Sequence, residues 1–243
     1  MLANAMPCLW SIPPFPLTCD SSVLDIWLIT PTDLVTNHSV FVKSLSVDEL
    51  KQSDRYHFPA DANRYMGTRL ALRNILAKFY LQVEPSSLIF NYSQRGKPYL
   101  LFPANSNIQF NVSHSEDRAL IAVTWGAAIG VDIELAKPLE NLRDISRRIF
   151  SESESMILDS LSGNEQFRTF YRIWTRKEAV LKATGEGLMK PLNSFNVVTD
   201  AEVIEVSLDG KTWSLVDVAL DRDYVGAVCF ASPRTKIRTF RWH

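Results

Sequence analysis

The sequence predicts an α+β protein with two similar halves, each a small, mostly antiparallel sheet packed with a long helix. A long helical pattern precedes Pro85 and a strand pattern follows it, and the same order surrounds Pro191. In both halves a further pair of apolar, strand-like segments follows. We therefore expect an N-terminal half of residues 1–129 and a C-terminal half of residues 130–243.

The composition excludes several classes of protein. The 243-residue chain is 46% hydrophobic and 22% charged, with a formal net charge of −1. This balance is typical of a folded globular protein and excludes a disordered chain, a collagen-like chain and a disulfide-dense miniprotein. The near-neutral charge argues against a nucleic-acid partner, although it leaves room for a local basic pocket that binds a small anion.

Cysteine usage and charge placement indicate the compartment. The chain has three cysteines and no C-x-x-C motif, so neither a disulfide framework nor a zinc site is indicated. No apolar run reaches the roughly 18 residues that a membrane-spanning helix needs. No lysine or arginine precedes Lys43, whereas a secretory signal needs positive charge near its start. We therefore expect a cytoplasmic protein without a membrane partner.

The N-terminal half is predicted to begin with an irregular arm, because four prolines fall within the first 20 residues. Val23–Ile29 has the apolar, β-branched composition of a strand. The S-x-x-E sequence at Ser46 is typical of a capping box that opens a helix near Val47. Apolar residues at three- and four-residue spacing predict a long helix over residues 61–80.

The rest of this half is predicted to consist of strands joined by short connections. The predicted strands are residues 88–92, 108–112 and 119–125. A turn is expected at residues 94–98 and a loop at residues 113–118. Residues 126–128 are expected to form a hairpin turn that leads into a strand over residues 130–134.

The C-terminal half is predicted to place helices before strands. Residues 135–162 are polar and helical in pattern, with a second capping box at Ser151. Residues 165–184 carry the strongest helical pattern, which ends at Gly185, a residue type common at helix C-termini. Alternating apolar residues then predict four strands, over residues 202–208, 211–218, 224–230 and 236–242.

A D-x-E pair in the strand after residue 130 is the first candidate site. Side chains alternate between faces along a strand, so Asp132 and Glu134 share one face. Two carboxylates at this spacing can bind one hard cation such as Mg²⁺. The alternative is the solvated face of a half-exposed strand.

The helix over residues 165–184 places two charged groups along its apolar stripe. Glu178 lies four residues after Trp174 of that stripe, and Lys182 lies four residues further on. Burying a carboxylate and an ammonium group is costly unless they are paired or ligated. They therefore indicate a functional site or, alternatively, an i,i+4 salt bridge at the edge of the stripe.

Two short segments suit phosphate recognition. The sequence R-G-K-P at residues 95–98 predicts a tight turn with two cations, and N-V-S-H-S at residues 111–115 offers hydroxyl, imidazole and backbone N–H donors. Ordinary turn chemistry for the first segment and a satisfied loop histidine at His114 are the alternatives. Together with three carboxylates and a lysine, these segments predict a magnesium site for phosphoryl transfer.

These residues resemble the paired motifs of the 4′-phosphopantetheinyl transferases. The sequences G-V-D-I-E at residues 130–134 and W-T-R-K-E-A-V-L-K at residues 174–182 are similar to the two family patterns and have the family's separation. The G-K-P turn, F-N-V-S-H-S at residues 110–115 and R-R-I-F-S-E at residues 147–152 match the longer, Sfp-type branch. The resemblance covers residues 45 to about 200.

The resemblance implies an enzyme that moves the 4′-phosphopantetheine arm of coenzyme A onto a serine of an acyl or peptidyl carrier protein, releasing adenosine 3′,5′-bisphosphate. It also implies two similar halves related by a pseudo-twofold axis, with coenzyme A in the cleft between them. The short branch of the family has one such half per chain and forms trimers, so two halves in one chain favour a monomer.

The resemblance also implies roles for individual residues. The expected Mg²⁺ ligands are Asp132, Glu134 and Glu178. Glu178 is in addition the expected base for the carrier serine, and Lys182 is expected to neutralise the diphosphate and assist the leaving bisphosphate. The residues expected to bind coenzyme A are Arg55, Arg64, Lys97, Ser113, His114, Lys177 and Lys182. Ser113 and His114 are assigned to its phosphates and Lys97 to its adenosine end.

The segment before the first long helix departs from the family. Some members carry several basic residues there, whereas residues 46–55 contain acids and only Lys51 and Arg55 as cations. Arg55 is accordingly expected to contact the 3′-phosphate of coenzyme A.

Two other classes of function are weighed against the transferase. A different magnesium nucleotide enzyme, such as a kinase, is disfavoured because the chain has no Walker-type motif and no kinase H-R-D or D-F-G motif. A non-catalytic module that binds coenzyme A or a carrier protein would be expected to have lost a motif carboxylate or the second motif lysine. Both are present.

Overall fold

The computed structural model describes residues 10–15, 17, 20–35, 42–104, 106–187, 190–199, 201–221, 223–231 and 236–242. Its contacts divide the chain into two compact units, with the boundary between Gly126 and Ala127. The C-terminal residues from Lys236 onward group with the first unit. Across the described ranges, no helix is long and apolar enough to cross a membrane.

The first unit contains three α-helices and six strands within the described residues. In chain order they are β1 (Val23–Ile29), α1 (Pro31–Val35), α2 (Val47–Ser53), α3 (Pro59–Asn74), β2 (Ile89–Tyr92), β3 (Pro98–Phe102), β4 (Ile108–Ser115), β5 (Arg118–Trp125) and β10 (Lys236–Trp242). Four of the strands form a sheet in the order β10-β1-β5-β4, and β2 and β3 form a separate hairpin. β1, β5 and β4 pair antiparallel, whereas β10 pairs with β1 in parallel.

The predicted helices of this unit are confirmed. Ser46 and Glu49 form the reciprocal capping box at the start of α2. The helix predicted over residues 61–80 consists of α3 followed by a π-helical segment, Ile75–Leu81. Its apolar residues pack against the sheet around Trp27, which is fully buried. α1 and β3 have no counterpart among the predicted elements.

The second unit packs helices against one antiparallel sheet. Its elements are β6 (Ile129–Leu135), α4 (Leu142–Ile149), α5 (Glu152–Asp159), α6 (Gly163–Thr184), β7 (Ile204–Leu208), β8 (Lys211–Val218) and β9 (Tyr224–Phe230). The strand order is β6-β9-β8-β7. The capping box at Ser151 is confirmed at the start of α5, and α6 ends at Gly185, which has a φ of 73°. Cys229 of β9 is a buried free thiol.

Three predictions about this topology differ from the structure, two of them at connections and one at the last strand. The hairpin turn predicted at residues 126–128 is wrong, because β5 and β6 belong to different sheets in different units. The loop predicted at residues 113–118 is wrong, because β4 continues to Ser115 and only Glu116 and Asp117 make the turn. Polar side chains at the end of β4 conceal the strand, since its backbone pairing with β5 does not depend on apolar residues.

The third difference concerns the last strand, which the sequence assigns to the C-terminal half. Asp25 of β1 is 2% exposed and needs a counter-ion there. Arg238 of β10 provides it, donating from Nε and Nη2 to the two carboxylate oxygens of Asp25 at 2.6 and 2.8 Å. Phe240 of the same strand packs on Trp27 with 4.9 Å between ring centroids. These long-range contacts join β10 to the first sheet.

Replacing Arg238 with alanine is expected to destabilise the first unit. The change leaves the buried carboxylate of Asp25 without its cation, a loss worth about 3–5 kcal/mol for a buried pair. Chemical unfolding followed by tryptophan fluorescence would measure the free energy of unfolding. Arg241→Ala on the same strand is the control, because Arg241 is exposed and should change the free energy by less than about 0.5 kcal/mol. Equal losses in the two variants would contradict this account of Asp25.

Candidate active site

The D-x-E pair lies on the face of β6 that α6 covers. Asp132 is opposite Ala227 of β9, and Ala227 belongs to the apolar cluster that packs under α6. Asp132 is 4% exposed, and Glu134 is half-buried. The predicted alternation along the strand is therefore confirmed, but the alternative of a solvated face is excluded for Asp132.

Gly130 sets the distance between β6 and α6. A Cβ atom at this position would lie 2.1 Å from the carbonyl oxygen of Ala179 and 2.3 Å from the backbone nitrogen of Ala183. The two backbones therefore touch where the first residue of the G-V-D-I-E sequence meets the last turns of α6. This contact places residues 130–134 beside residues 178–182.

Lys182 reaches across this contact to β6. Its Nζ donates to Asp132 Oδ1 at 2.6 Å and to the carbonyl oxygen of Val131 at 3.2 Å. The side chain of Lys182 retains 28% exposure. The ammonium group thus binds Asp132 of β6, which the alternative of a simple i,i+4 salt bridge with Glu178 did not include.

Glu178 carries a buried oxygen, Oε1, for which the described residues supply no hydrogen bond. Burial raises the pKa of this carboxyl group, and the neighbouring charges of Asp132 and Glu134 raise that pKa further, although Lys182 opposes them. Tyr171, two helical turns earlier on α6, has a pKa that burial and the Glu134 charge raise. The charges of two other carboxylates therefore act on Glu178 at this end of α6.

The donor chemistry of this cluster fits a magnesium ion. Carboxylate oxygens are the protein ligands that Mg²⁺ prefers, and a cation would offset the charges of Asp132 and Glu134 that, in addition to burial, raise the Glu178 pKa. Glu178 Oε1, which accepts no hydrogen bond from any described residue, is an oxygen available for such a bond. Within the described ranges, however, no group of three or more His, Cys, Asp or Glu side chains is arranged to hold a metal ion.

Lys177 does not fit the coenzyme A-binding role that the sequence assigns to it. Its side chain is fully buried, and Nζ lies 2.8 Å from Glu154 Oε2. The same nitrogen donates to the carbonyl oxygens of Leu192 at 2.7 Å and Phe195 at 2.5 Å. Burial lowers the pKa of Lys177, and Glu154 opposes this shift. The first lysine of the W-x-x-K-E pattern is a structural group here, because all three donors of its ammonium group are matched by protein acceptors.

The remaining predicted site residues lie in the first unit. Ser113 and His114 are consecutive residues of β4, so Ser113 is buried on one face while His114 is exposed on the other. Arg64 of α3 pairs with Asp61 at 2.8 Å and with Glu116 at 3.3 Å. The arginine therefore lies beside the β4–β5 turn. Glu116 of that turn is two residues after His114.

Arg55 lines a cavity of about 740 Å³ in the first unit. Arg55 is exposed and donates to Gln52 Oε1 at 3.3 Å. Tyr65 lines the same cavity, and burial raises its pKa to about 12, so its hydroxyl retains the proton and can donate to an anion. Lys97 lies outside this lining, in the turn before β3, where its backbone N–H donates to Ser93 Oγ at 3.1 Å.

A buried charge cluster in the wall of this cavity was missed from the sequence. Glu49 Oε1 lies 2.6 Å from Arg69, and Glu49 Oε2 lies 2.6 Å from Arg73. Both guanidinium groups stack over Phe90, at 4.6 and 5.2 Å from the ring centroid. Burial alone would raise the pKa of Glu49, but the arginine charges outweigh it and lower that pKa. The available signal was the i,i+4 spacing of the two arginines on either side of the apolar sequence L-A-L.

Comparison with known proteins identifies the family. Residues 128–229 match the family described as the 4′-phosphopantetheinyl transferase superfamily, and residues 30–125 match the one described as 4′-phosphopantetheinyl transferase, N-terminal. The chain is 36% identical over 224 residues to the 4′-phosphopantetheinyl transferase HetI of Nostoc, covering 91% of this chain and 93% of that protein. It is 32% identical over 196 residues to Sfp of Bacillus subtilis, covering 79% and 85%.

The chain belongs to the 4′-phosphopantetheinyl transferase superfamily. It is an enzyme of that class, and the family uses coenzyme A as a substrate and acts on carrier proteins. The two family matches meet between residues 125 and 128, at the boundary between the two units. The match over residues 128–229 ends before β10, the strand that joins the first sheet.

Replacing Gly130 with alanine is expected to reduce turnover by at least about 10-fold, because the new methyl group pushes β6 away from α6. Steady-state transfer rates would measure the loss, with circular dichroism confirming that the chain folds. Ile129→Val is the matched control, since it removes one buried methyl group of the same strand without entering this contact. Normal turnover in Gly130→Ala would show that the close approach does not position the carboxylates.

Proposed function

We propose that this enzyme transfers the 4′-phosphopantetheine arm of coenzyme A to a serine hydroxyl of an apo acyl or peptidyl carrier protein, releasing adenosine 3′,5′-bisphosphate. The observation that carries the proposal is the cluster at the β6–α6 contact. There the buried Oε1 of Glu178, which has no hydrogen bond from the described residues, is subject to the charges of two further carboxylates, with Lys182 bound to one of them.

In the proposed site, Asp132, Glu134 and Glu178 hold Mg²⁺. When bound, the ion would neutralise negative charge on the diphosphate of coenzyme A. The donor set supports this assignment, since all three side chains are carboxylates and the described residues supply no hydrogen bond to the buried Oε1 of Glu178.

In the proposed reaction, the serine oxygen attacks the phosphorus that carries the pantetheine arm. The serine proton passes to Glu178, directly or through a water molecule. The bond from that phosphorus to the oxygen of the bisphosphate breaks, and Lys182 offsets the charge that develops on the departing oxygen. Lys182 is suited to this role because its ammonium group already bridges to β6 and remains partly exposed.

For the nucleotide end of coenzyme A we propose contacts in the first unit. Ser113, His114 and Arg64 would bind phosphate oxygens, and Lys97 would approach the adenosine. Arg55 would reach the 3′-phosphate, a role supported by its place on the cavity that also holds Tyr65. Lys177 is withdrawn from this set because it is fully buried.

We further propose that the enzyme acts as a cytoplasmic monomer. The presence of two family matches in one chain supports the monomer, since each supplies one of the two halves that the fold requires. A non-catalytic coenzyme A-binding module is a weaker candidate, because the carboxylate cluster and Lys182 are both retained.

The direct test mixes the protein with coenzyme A, Mg²⁺ and an apo acyl carrier protein and weighs the carrier by mass spectrometry. We expect the mass to increase by one phosphopantetheine arm, and we expect EDTA to abolish the increase. The assay is repeated with a peptidyl carrier protein. Binding of coenzyme A without transfer to either carrier would favour the non-catalytic module instead.

Asp132→Asn is expected to lower kcat/KM by at least about 100-fold, because it removes a metal-binding charge while conserving volume. Transfer rates measured over a range of Mg²⁺ concentrations would show the loss and a raised requirement for the ion. Glu205→Gln is the matched control, because Glu205 is an exposed carboxylate of the same sheet and should leave the rate unchanged. Near-normal turnover in Asp132→Asn would refute the metal assignment.

Glu178→Gln is expected to lower kcat far more than it changes the KM for coenzyme A, since the amide can neither accept the serine proton nor bind the ion as a carboxylate does. Steady-state kinetics with coenzyme A as the varied substrate would separate the two effects. An unchanged kcat would remove Glu178 from both roles.

A further inference from the structure

Lys177, the residue before Glu178, belongs to a fully buried ion pair. The side chains of Lys177 and Glu154 are both 0% exposed, and their charged atoms are 2.8 Å apart. A buried ion pair is often no more stabilising than apolar side chains of similar volume. Stability alone therefore does not account for placing these two charges next to the catalytic carboxylate.

The Glu154 carboxylate joins three segments of the second unit. Its Oε2 accepts from the backbone N–H of Ser151 at 2.9 Å, which closes the capping box of α5. Its Oε1 accepts from the backbone N–H of Val197 at 2.9 Å. With Lys177 as the third partner, the group connects α5, α6 and the segment that follows residues 192–194. A buried network that is fully satisfied in this way is rigid.

Lys177 is held equally firmly on its other donors. Its ammonium group donates to the carbonyl oxygens of Leu192 and Phe195 and lies 4.5 Å from the ring centroid of Phe195. The three donors of the ammonium group are therefore matched by Glu154 and two carbonyl groups. The neighbouring Arg176 binds the same segment, donating to the carbonyl oxygen of Val197 at 2.9 Å.

These bonds fix the rotation of α6 about its axis. Successive residues of an α-helix are about 100° apart, so Lys177 is tethered on one side while Glu178 and Lys182 point to β6 on another. A carboxylate about 6 Å from the axis moves by about 1 Å when the helix rotates by about 10°. A misplacement of about 1 Å at reacting groups costs about 100-fold in rate.

We propose that Glu154 is a positioning residue for phosphopantetheine transfer: through its ion pair with Lys177 it orients α6, and thereby Glu178 and Lys182, toward the carboxylates of β6. The inference rests on the proposed function of that cluster. It also gives a reason for the serine of the R-R-I-F-S-E sequence at residues 147–152, since Ser151 caps the helix whose third residue is Glu154.

The decisive variant is the double substitution Glu154→Gln with Lys177→Met. It removes both buried charges together and roughly conserves volume, so no uncompensated ion remains and we expect a Tm within about 4 °C of the unaltered chain. If the pair orients α6, kcat falls by about 10- to 100-fold while the KM for coenzyme A changes less than about threefold.

Asp25→Asn is the matched control for lost stability. It weakens a buried ion pair of the first unit, so we expect a lower Tm with an unchanged kcat below that temperature. A double variant that folds stably and retains the kcat of the unaltered chain would overturn the positioning role. Should the double variant fail to fold, Glu154→Asp, which keeps the charge but shortens its reach, is measured with the same two outcomes.

The unaltered chain is assayed first, so that failure of the proposed function can be distinguished from failure of the positioning role of Glu154. Absence of transfer by the unaltered chain to any apo carrier would overturn the proposed function and this inference with it. Transfer by the unaltered chain, combined with an unaffected kcat in the double variant, would overturn this inference alone.

Discussion

Gly130 has no side chain, and for that reason β6 can lie in backbone contact with α6. Its missing Cβ would fall 2.1 Å from the carbonyl oxygen of Ala179, which is inside the repulsive contact distance of any carbon atom. The D-x-E pair follows immediately on β6, and Glu178 and Lys182 flank the contact on α6. The distance between the carboxylates of the two elements therefore depends on a position where only glycine fits.

Within each unit, buried carboxylates are paired with cationic side chains. Asp25 has Arg238, Glu49 has two arginines, Asp217 has Arg176 in a bidentate pair with both distances at 2.7 Å, and Glu154 has Lys177. Glu178 differs, because its buried Oε1 lacks a hydrogen bond among the described residues and its nearest charges include two carboxylates. A carboxylate placed in this way suits cation binding and proton transfer better than it suits stability.

Local patterns were sufficient to predict most of the elements. Strands β1, β8, β9 and β10, the two capping boxes and the C-terminal end of α6 at Gly185 agree with the sequence prediction. The predictions failed where pairing between distant segments decides the outcome. The end of β4 is polar and was predicted as a loop, and the apparent hairpin at residues 126–128 is the boundary between two units.

The sequence by itself determined the family and the chemistry of the candidate site, because motif identity and spacing along one strand and one helix are local properties. Only the tertiary structure decided which of two similar residues lies beside those carboxylates. Lys177 and Lys182 belong to the same motif. Lys177 is fully buried in an ion pair with Glu154, whereas Lys182 is partly exposed and pairs with Asp132. The sequence around Glu49 indicated only a helix-capping residue. In the folded protein, Arg69 and Arg73 form ion pairs with its carboxylate. Burial and counter-ions come from residues far apart in the chain, so no local pattern contains them.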